Sequence, residues 1–146
     1  MPLVVNLQRK IKLDIAPTKE FVASLSTKVD EAAGCDFSVA FISDRRMKEL
    51  NGFFRGKVST TDVLSFPHEA DDQPPEGGTQ NIDYLGDIVI SVEQAQKQAK
   101  ENKLTLEREI EQLILHGLLH LCGFDHEIDN GEMNRRELAL RRKLKI

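Results

Sequence analysis

Apolar residues come in two rhythms along the chain, and the rhythm assigns the elements. Short apolar blocks at Leu3 to Leu7, Phe37 to Ile42, Asp62 to Phe66 and Leu85 to Ile90 read as four strands. Helical spacing marks five other stretches. Pro17 to Ala33 puts Phe21, Val22, Leu25 and Val29 on one face and stops at Gly34, while Asp44 to Asn51 turns Met47 and Leu50 inward. Ser91 with Gln94 three residues on is a capping box that opens a polar helix to about Asn102, whose weak stripe predicts an outer position. Leu106, Ile110, Leu113, Ile114, Gly117, Leu118 and Leu121 share one side of the next helix, and Leu115 and Leu119 take the other. That helix is apolar nearly all round in its second half, which predicts a path through the middle of the molecule. A last helix from about Gly131 presents Met133, Leu138 and Leu144 and ends in Arg141-Arg142-Lys143, cations at the end the helix dipole favours. Between Pro67 and Asp83, prolines, glycines and acids predict a long surface loop. Strands and helices segregate more than they alternate, so the expected fold class is α+β, with a mixed four-stranded sheet and a central buried helix.

Composition narrows the function classes. The 146 residues suit a single domain, expected to span 1–146. With 40% hydrophobic and 30% charged residues the chain needs no crosslinks to fold, so Cys35 and Cys122 are expected as free thiols. Cys122, two residues past His120, projects to the other side of the helix and is expected as a buried thiol, not a ligand. The first apolar run is too short for a secretory signal and none is long enough to cross a membrane, which predicts a cytoplasmic protein with no membrane partner. A formal charge of −4 excludes bulk electrostatics as the route to a polyanion; any nucleic-acid contact must come from a local patch.

Three of the four histidines fall within His116-Gly117-Leu118-Leu119-His120-Leu121-Cys122-Gly123-Phe124-Asp125-His126. Residues four apart on a helix lie one above the other, so His116 and His120 address one point, and Gly123 lets the chain turn until His126 joins them. Three neutral imidazoles suit one zinc ion per chain with a coordination position left open, the mark of a catalytic site. His68, at the start of the acidic loop, reads as a surface residue. The spacing matches that of metzincin peptidases, except that Gly117 stands where their general-base Glu would be. Met133 reads as core and not as a Met-turn beneath the metal.

Four blocks carry a resemblance: Glu49-Leu50-Asn51 with Arg55-Gly56-Lys57, Thr61-Asp62-Val63-Leu64-Ser65-Phe66-Pro67, Leu85-Gly86-Asp87-Ile88-Val89-Ile90-Ser91, and His116 to His126. Together they resemble the YbeY family of bacterial single-strand-specific metallo-endoribonucleases, over most of the chain from about Val39. The resemblance implies zinc ligands at His116, His120 and His126 and catalytic roles for Arg55 and His116. It also implies single-stranded RNA as substrate, action on the 3′ end of 16S ribosomal RNA, ribosome quality control with the small ribosomal subunit as partner, and no DNA. Phe54 replaces a usual Tyr and Cys122 a usual apolar residue; neither touches those roles.

The chemistry of the residues agrees. A guanidinium at Arg55 grips phosphate oxygens bidentately. Asp62 and Asp87 fit either the orientation of a ligand histidine or, as favoured here, the capping of a turn, and Asp125 fits both. Phe53, Phe54, Tyr84 and Phe124 are candidate stacking surfaces, and Arg135-Arg136 with Arg141-Arg142-Lys143 are either a solvated face or phosphate contacts. Metal-bound water and the ribose 2′-hydroxyl both remain candidate nucleophiles. Two rivals stay open: a metzincin-like metallopeptidase, and a non-catalytic ribosome-assembly factor whose zinc is structural, with Glu127 or Asp129 filling the fourth position.

Overall fold

The computed structural model describes residues 3–68 and 83–146. Most of the predicted Pro67 to Asp83 loop therefore lies outside the described residues. Strands β1 (Leu3–Asn6), β2 (Cys35–Ile42), β3 (Val63–Pro67) and β4 (Asp83–Ser91) form one sheet in the order β1-β2-β4-β3. β1 and β4 run parallel to β2, and β3 runs antiparallel to β4, so the sheet is mixed as expected. Helices α1 (Ala16–Lys28), α2 (Asp44–Arg55), α3 (Val92–Glu101), α4 (Leu106–Leu121) and α5 (Glu132–Leu144) complete an α+β fold.

The period-2 rhythm of the strands sorts their side chains onto two faces. Phe37, Val39, Phe41, Ile88 and Ile90 enter the main core with α4, and Ile42, Leu64 and Val89 meet Met47 of α2 in a second cluster on the opposite face. α4 runs through the centre as predicted, with Ile114, Leu115, Leu118 and Leu119 all fully buried. α3 lies on α4 through the small buried residues Ala95 and Ala99; its stripe looked weak because alanines, which allow close approach, make it.

Three of the helices differ from the sequence reading. α1 stops at Lys28, and a separate 3-10 turn covers Asp30–Ala32. The hydroxyls of Ser24, Ser26 and Thr27 bond back to carbonyls three residues earlier, competing with the helical ladder just where it ends. α2 runs past Gly52 to Arg55, because the true stop is Gly56, whose φ of 65° closes the helix. In α5 the inward residues are Met133, Glu137 and Leu140, while Leu138 is 43% exposed. A buried carboxylate takes the position where an apolar residue was expected.

β4 carries one residue more than β2 between the pairs Asp36↔Tyr84 and Ser38↔Asp87, a bulge containing Gly86 at φ +138°. A Cβ built there would sit 2.2 Å from the Phe66 carbonyl oxygen and 2.9 Å from the His68 nitrogen. Gly86→Ala is expected to destabilise the fold by more than about 3 kcal/mol, read as a fall in the urea midpoint.

Candidate metal centre

α4 starts at Thr105, whose hydroxyl accepts the Arg108 N–H, and its last turns carry His116 and His120. Between them Gly117 rests directly on the sheet: a Cβ at 117 would lie 2.9 Å from Ile88 Cγ2 and 3.1 Å from Ser65 Oγ, and Ser65 donates to the Gly117 carbonyl at 3.2 Å. Glycine at this position lets α4 approach β3 and β4 closely enough to fix the height of both imidazoles. Gly117 itself offers no general-base Glu of the peptidase kind, and a side chain here would have to displace Ile88.

After Cys122, Gly123 adopts φ +102° and the chain turns back, with the Phe124 N–H bonded to the Leu119 carbonyl at 3.1 Å. The turn brings His126 to the other two rings: the centroid separations are 4.8 Å for His116 and His120, 5.5 Å for His116 and His126, and 5.1 Å for His120 and His126. One nitrogen from each lies within 4.8 Å of the others, and among the described residues this is the group able to hold a metal ion.

The protons on these rings follow from their partners. His120 Nδ1 lies 3.1 Å from the Phe124 carbonyl, which can only accept, so Nδ1 carries the hydrogen. His116 Nδ1 lies 2.6 Å from Glu137 Oε1, and Arg141 Nη2 donates to the other carboxylate oxygen at 2.6 Å. Burial opposes ionisation of Glu137, but the hydrogen bond with His116 and the charge and hydrogen bond of Arg141 hold its carboxyl below its ordinary value. An ionised Glu137 accepts, so His116 also carries its hydrogen on Nδ1. In the neutral rings both Nε2 atoms then present lone pairs, and they face each other at 3.2 Å. Two opposed lone pairs call for a shared cation, and nitrogens bonded at tetrahedral angles to one zinc ion lie ~3.3 Å apart. Burial first, then the neighbouring His116 and His126, pushes the His120 pKa down, which favours its neutral, ligating form. The residues fit a metal ion.

The histidines open into a cleft of about 810 Å³ lined also by Phe54, Arg55, Lys57, Asp62, Phe66, Phe124, Asp125 and Glu127. Arg55, the last residue of α2, thus shares one cavity with all three histidines. Asp62 accepts from the Val63 N–H at 2.8 Å and Asp125 from the Glu127 N–H at 3.0 Å, both local caps. Asp87 accepts from the Tyr84 hydroxyl, which Ser38 also meets. Asp129 accepts from the N–H groups of Gly131 and Met133 and so starts α5. His68 is exposed, with its ring 5.4 Å from Tyr84, and Met133 is core. Half-buried Cys122 packs against the main core outside the histidine group, and burial pushes its thiol up to about 11. The basic cluster of α5 is largely engaged: Arg136 pairs with Glu31 through two contacts of 2.7 Å, Arg141 holds Glu137, and Lys143 donates to the Lys28 carbonyl.

The sequence reading missed Glu137. The available signal was its spacing between Met133 and Leu140 on the inner stripe of α5, with Arg141 one turn on. A carboxylate that fixes the tautomer of a ligand histidine typically contributes ten- to a hundredfold in metal affinity. Glu137→Ala is accordingly expected to weaken metal binding by about tenfold or more, measured by competition with a chromophoric chelator.

The family model described as Endoribonuclease YbeY matches residues 4–145. An endoribonuclease YbeY from Nautilia profundicola is 46% identical over 111 residues, covering 76% of this chain and 73% of that protein. The one from Thermodesulfovibrio yellowstonii is 37% identical over 145 residues, covering 90% and 87%. The solution structure of a Thermotoga maritima protein superposes with a TM-score of 0.63 at 27% identity, covering 99% of this chain and 92% of that one. With the match running through β1, the arginine-bearing helix and the three-histidine turn alike, the chain belongs to the YbeY endoribonuclease family.

Proposed function

We propose that this chain is a single zinc-dependent endoribonuclease domain over residues 1–146 that cuts single-stranded RNA. The observation that carries the reading is the pair of imidazole Nε2 atoms 3.2 Å apart, with His126 beside them, in a cleft that Arg55 also lines. His116, His120 and His126 would hold one zinc ion per chain, which supplies Lewis acidity toward a phosphoryl group. Arg55 grips the scissile phosphate through two nitrogens and relieves the charge that builds on its oxygens. His116 keeps its lone pair on the cleft side because Glu137 retains the proton on the other nitrogen. Lys57 adds a second positive group along the phosphate path. As the resemblance implies, the proposed substrate is the 3′ end of 16S ribosomal RNA, encountered on the small ribosomal subunit in the cytoplasm. No helix among the described residues is long and apolar enough to cross a membrane.

A peptidase reading lacks the base of the metzincin pattern, since position 117 is a glycine packed against Ile88 and Ser65. Parallel digests of casein and of single-stranded RNA test this directly; cleavage of casein alone would overturn the nuclease reading.

His116→Ala and His120→Ala are expected to lower bound zinc well below one ion per chain and to abolish cleavage, as read by elemental mass spectrometry and gel assay. Arg55→Ala is expected to keep zinc and fold while losing about 10²- to 10³-fold in turnover. Zinc retained in both histidine variants refutes the ligand assignment. Wild-type protein that binds zinc and RNA without cutting would point to the assembly-factor role.

A further inference from the structure

A second hollow lies on the outer side of α2 and shares Lys57 with the histidine cleft. Arg45, Lys48, Glu49, Gly52 and Phe53 share that face at helical spacing, and Lys57 and Val58 border it from the following turn. Phe53 is 82% exposed and Val58 89%. Two neighbouring large apolar side chains standing in water mark a surface that something covers. The Phe53 ring lies 4.8 Å from that of Phe54 at 74°, and Phe54 lies 5.0 Å from Phe66 at 66°. Phe54 and Phe66 line the histidine cleft, so an unbroken aromatic run leads out of the cleft to the outer face of α2.

Charge points to the kind of occupant. Among the described residues, Arg45, Lys48 and Lys57 line the patch against the one carboxylate of Glu49, which already lies 3.8 Å from Arg45. In a chain of net charge −4 this is a local concentration of the sign a polyanion needs. Interfaces with proteins are depleted in lysine, whereas single-stranded nucleic acid is held by aromatic faces set among cations. Gly52 supplies the floor. A Cβ there would meet only the Lys57 carbonyl oxygen, at an ordinary contact of 3.4 Å, so packing does not require glycine and alanine would make the better helix. Without a side chain at 52, bare backbone lies open between Phe53 and Val58.

We propose that Phe66, Phe54 and Phe53 form a stacking track for the unpaired bases of single-stranded RNA leaving the histidine cleft. Phe53 and Val58 seat the outermost base over Gly52, and Lys48 and Lys57 hold its phosphates. Every base offers a π-face, so the track tolerates any sequence, and it rejects a duplex, whose bases are already stacked on one another. The proposal rests on the RNA reading above.

The test is fluorescence anisotropy with a labelled single-stranded 2′-O-methyl oligouridylate, its integrity checked on a denaturing gel. Phe53→Ala is expected to weaken binding about tenfold with an unchanged melting temperature, and Phe53→Tyr to restore it to within about twofold. Gly52→Ala is expected to raise the melting temperature while weakening binding, a split that a purely structural role cannot produce. If wild-type protein binds and cuts single-stranded RNA but Phe53→Ala binds as tightly, the track is overturned and the nuclease reading stands. If wild-type protein neither binds nor cuts RNA, the nuclease reading fails and the track with it. Unchanged affinity for the single-stranded oligonucleotide in Phe53→Ala with loss of co-sedimentation with small ribosomal subunits would assign the patch to a subunit contact and overturn the track.

Discussion

Two imidazole nitrogens, each with its proton committed elsewhere, face one another at 3.2 Å, and a third histidine closes in from the turn that follows. A cation between them turns repulsion into ligation. The fold around α4 serves to keep these rings in place: the Phe124 carbonyl holds the proton of His120 on one nitrogen, and Glu137 does the same for His116. Arg141 in turn holds Glu137, so orientation at the centre is set two residues deep by the last helix.

Close approach of backbone makes this possible. At Gly117 the backbone of α4 lies directly on the side chains of Ile88 and Ser65, and β4 reaches β3 at Gly86, where even a methyl group would strike the Phe66 carbonyl. These contacts bring the histidines and strand β3 into one cleft with Arg55, a residue 61 positions before His116 in the chain. The same glycine that seats the helix removes the site of a peptidase base, so packing and chemistry select against that rival together.

The acidic balance of the whole chain hides how charge is distributed. The cations of α5 are largely consumed by Glu31, Glu137 and a backbone carbonyl, whereas Arg45 and Lys48 of α2 and Lys57 just past it stand beside the exposed Phe53. Extension of α2 to Gly56 matters here, because it puts Phe53, Phe54 and Arg55 on a rigid helix whose end points the arginine toward the histidines' cavity.

Local pattern alone determined the four strands, the buried course of α4 and the three-histidine group, because alternation, helical spacing and a glycine turn are written within a few residues of one another. The blocks around Arg55, Gly86 and His116 were enough to reveal the family. Tertiary structure decided what depends on partners far apart in the chain. Glu137 reads as an ordinary surface acid until α5 packs beside α4, and its burial is tolerable only because His116 and Arg141 meet it. The extent of α2 likewise turned on Gly56 and not Gly52, since a glycine ends a helix only where the backbone enters the left-handed region.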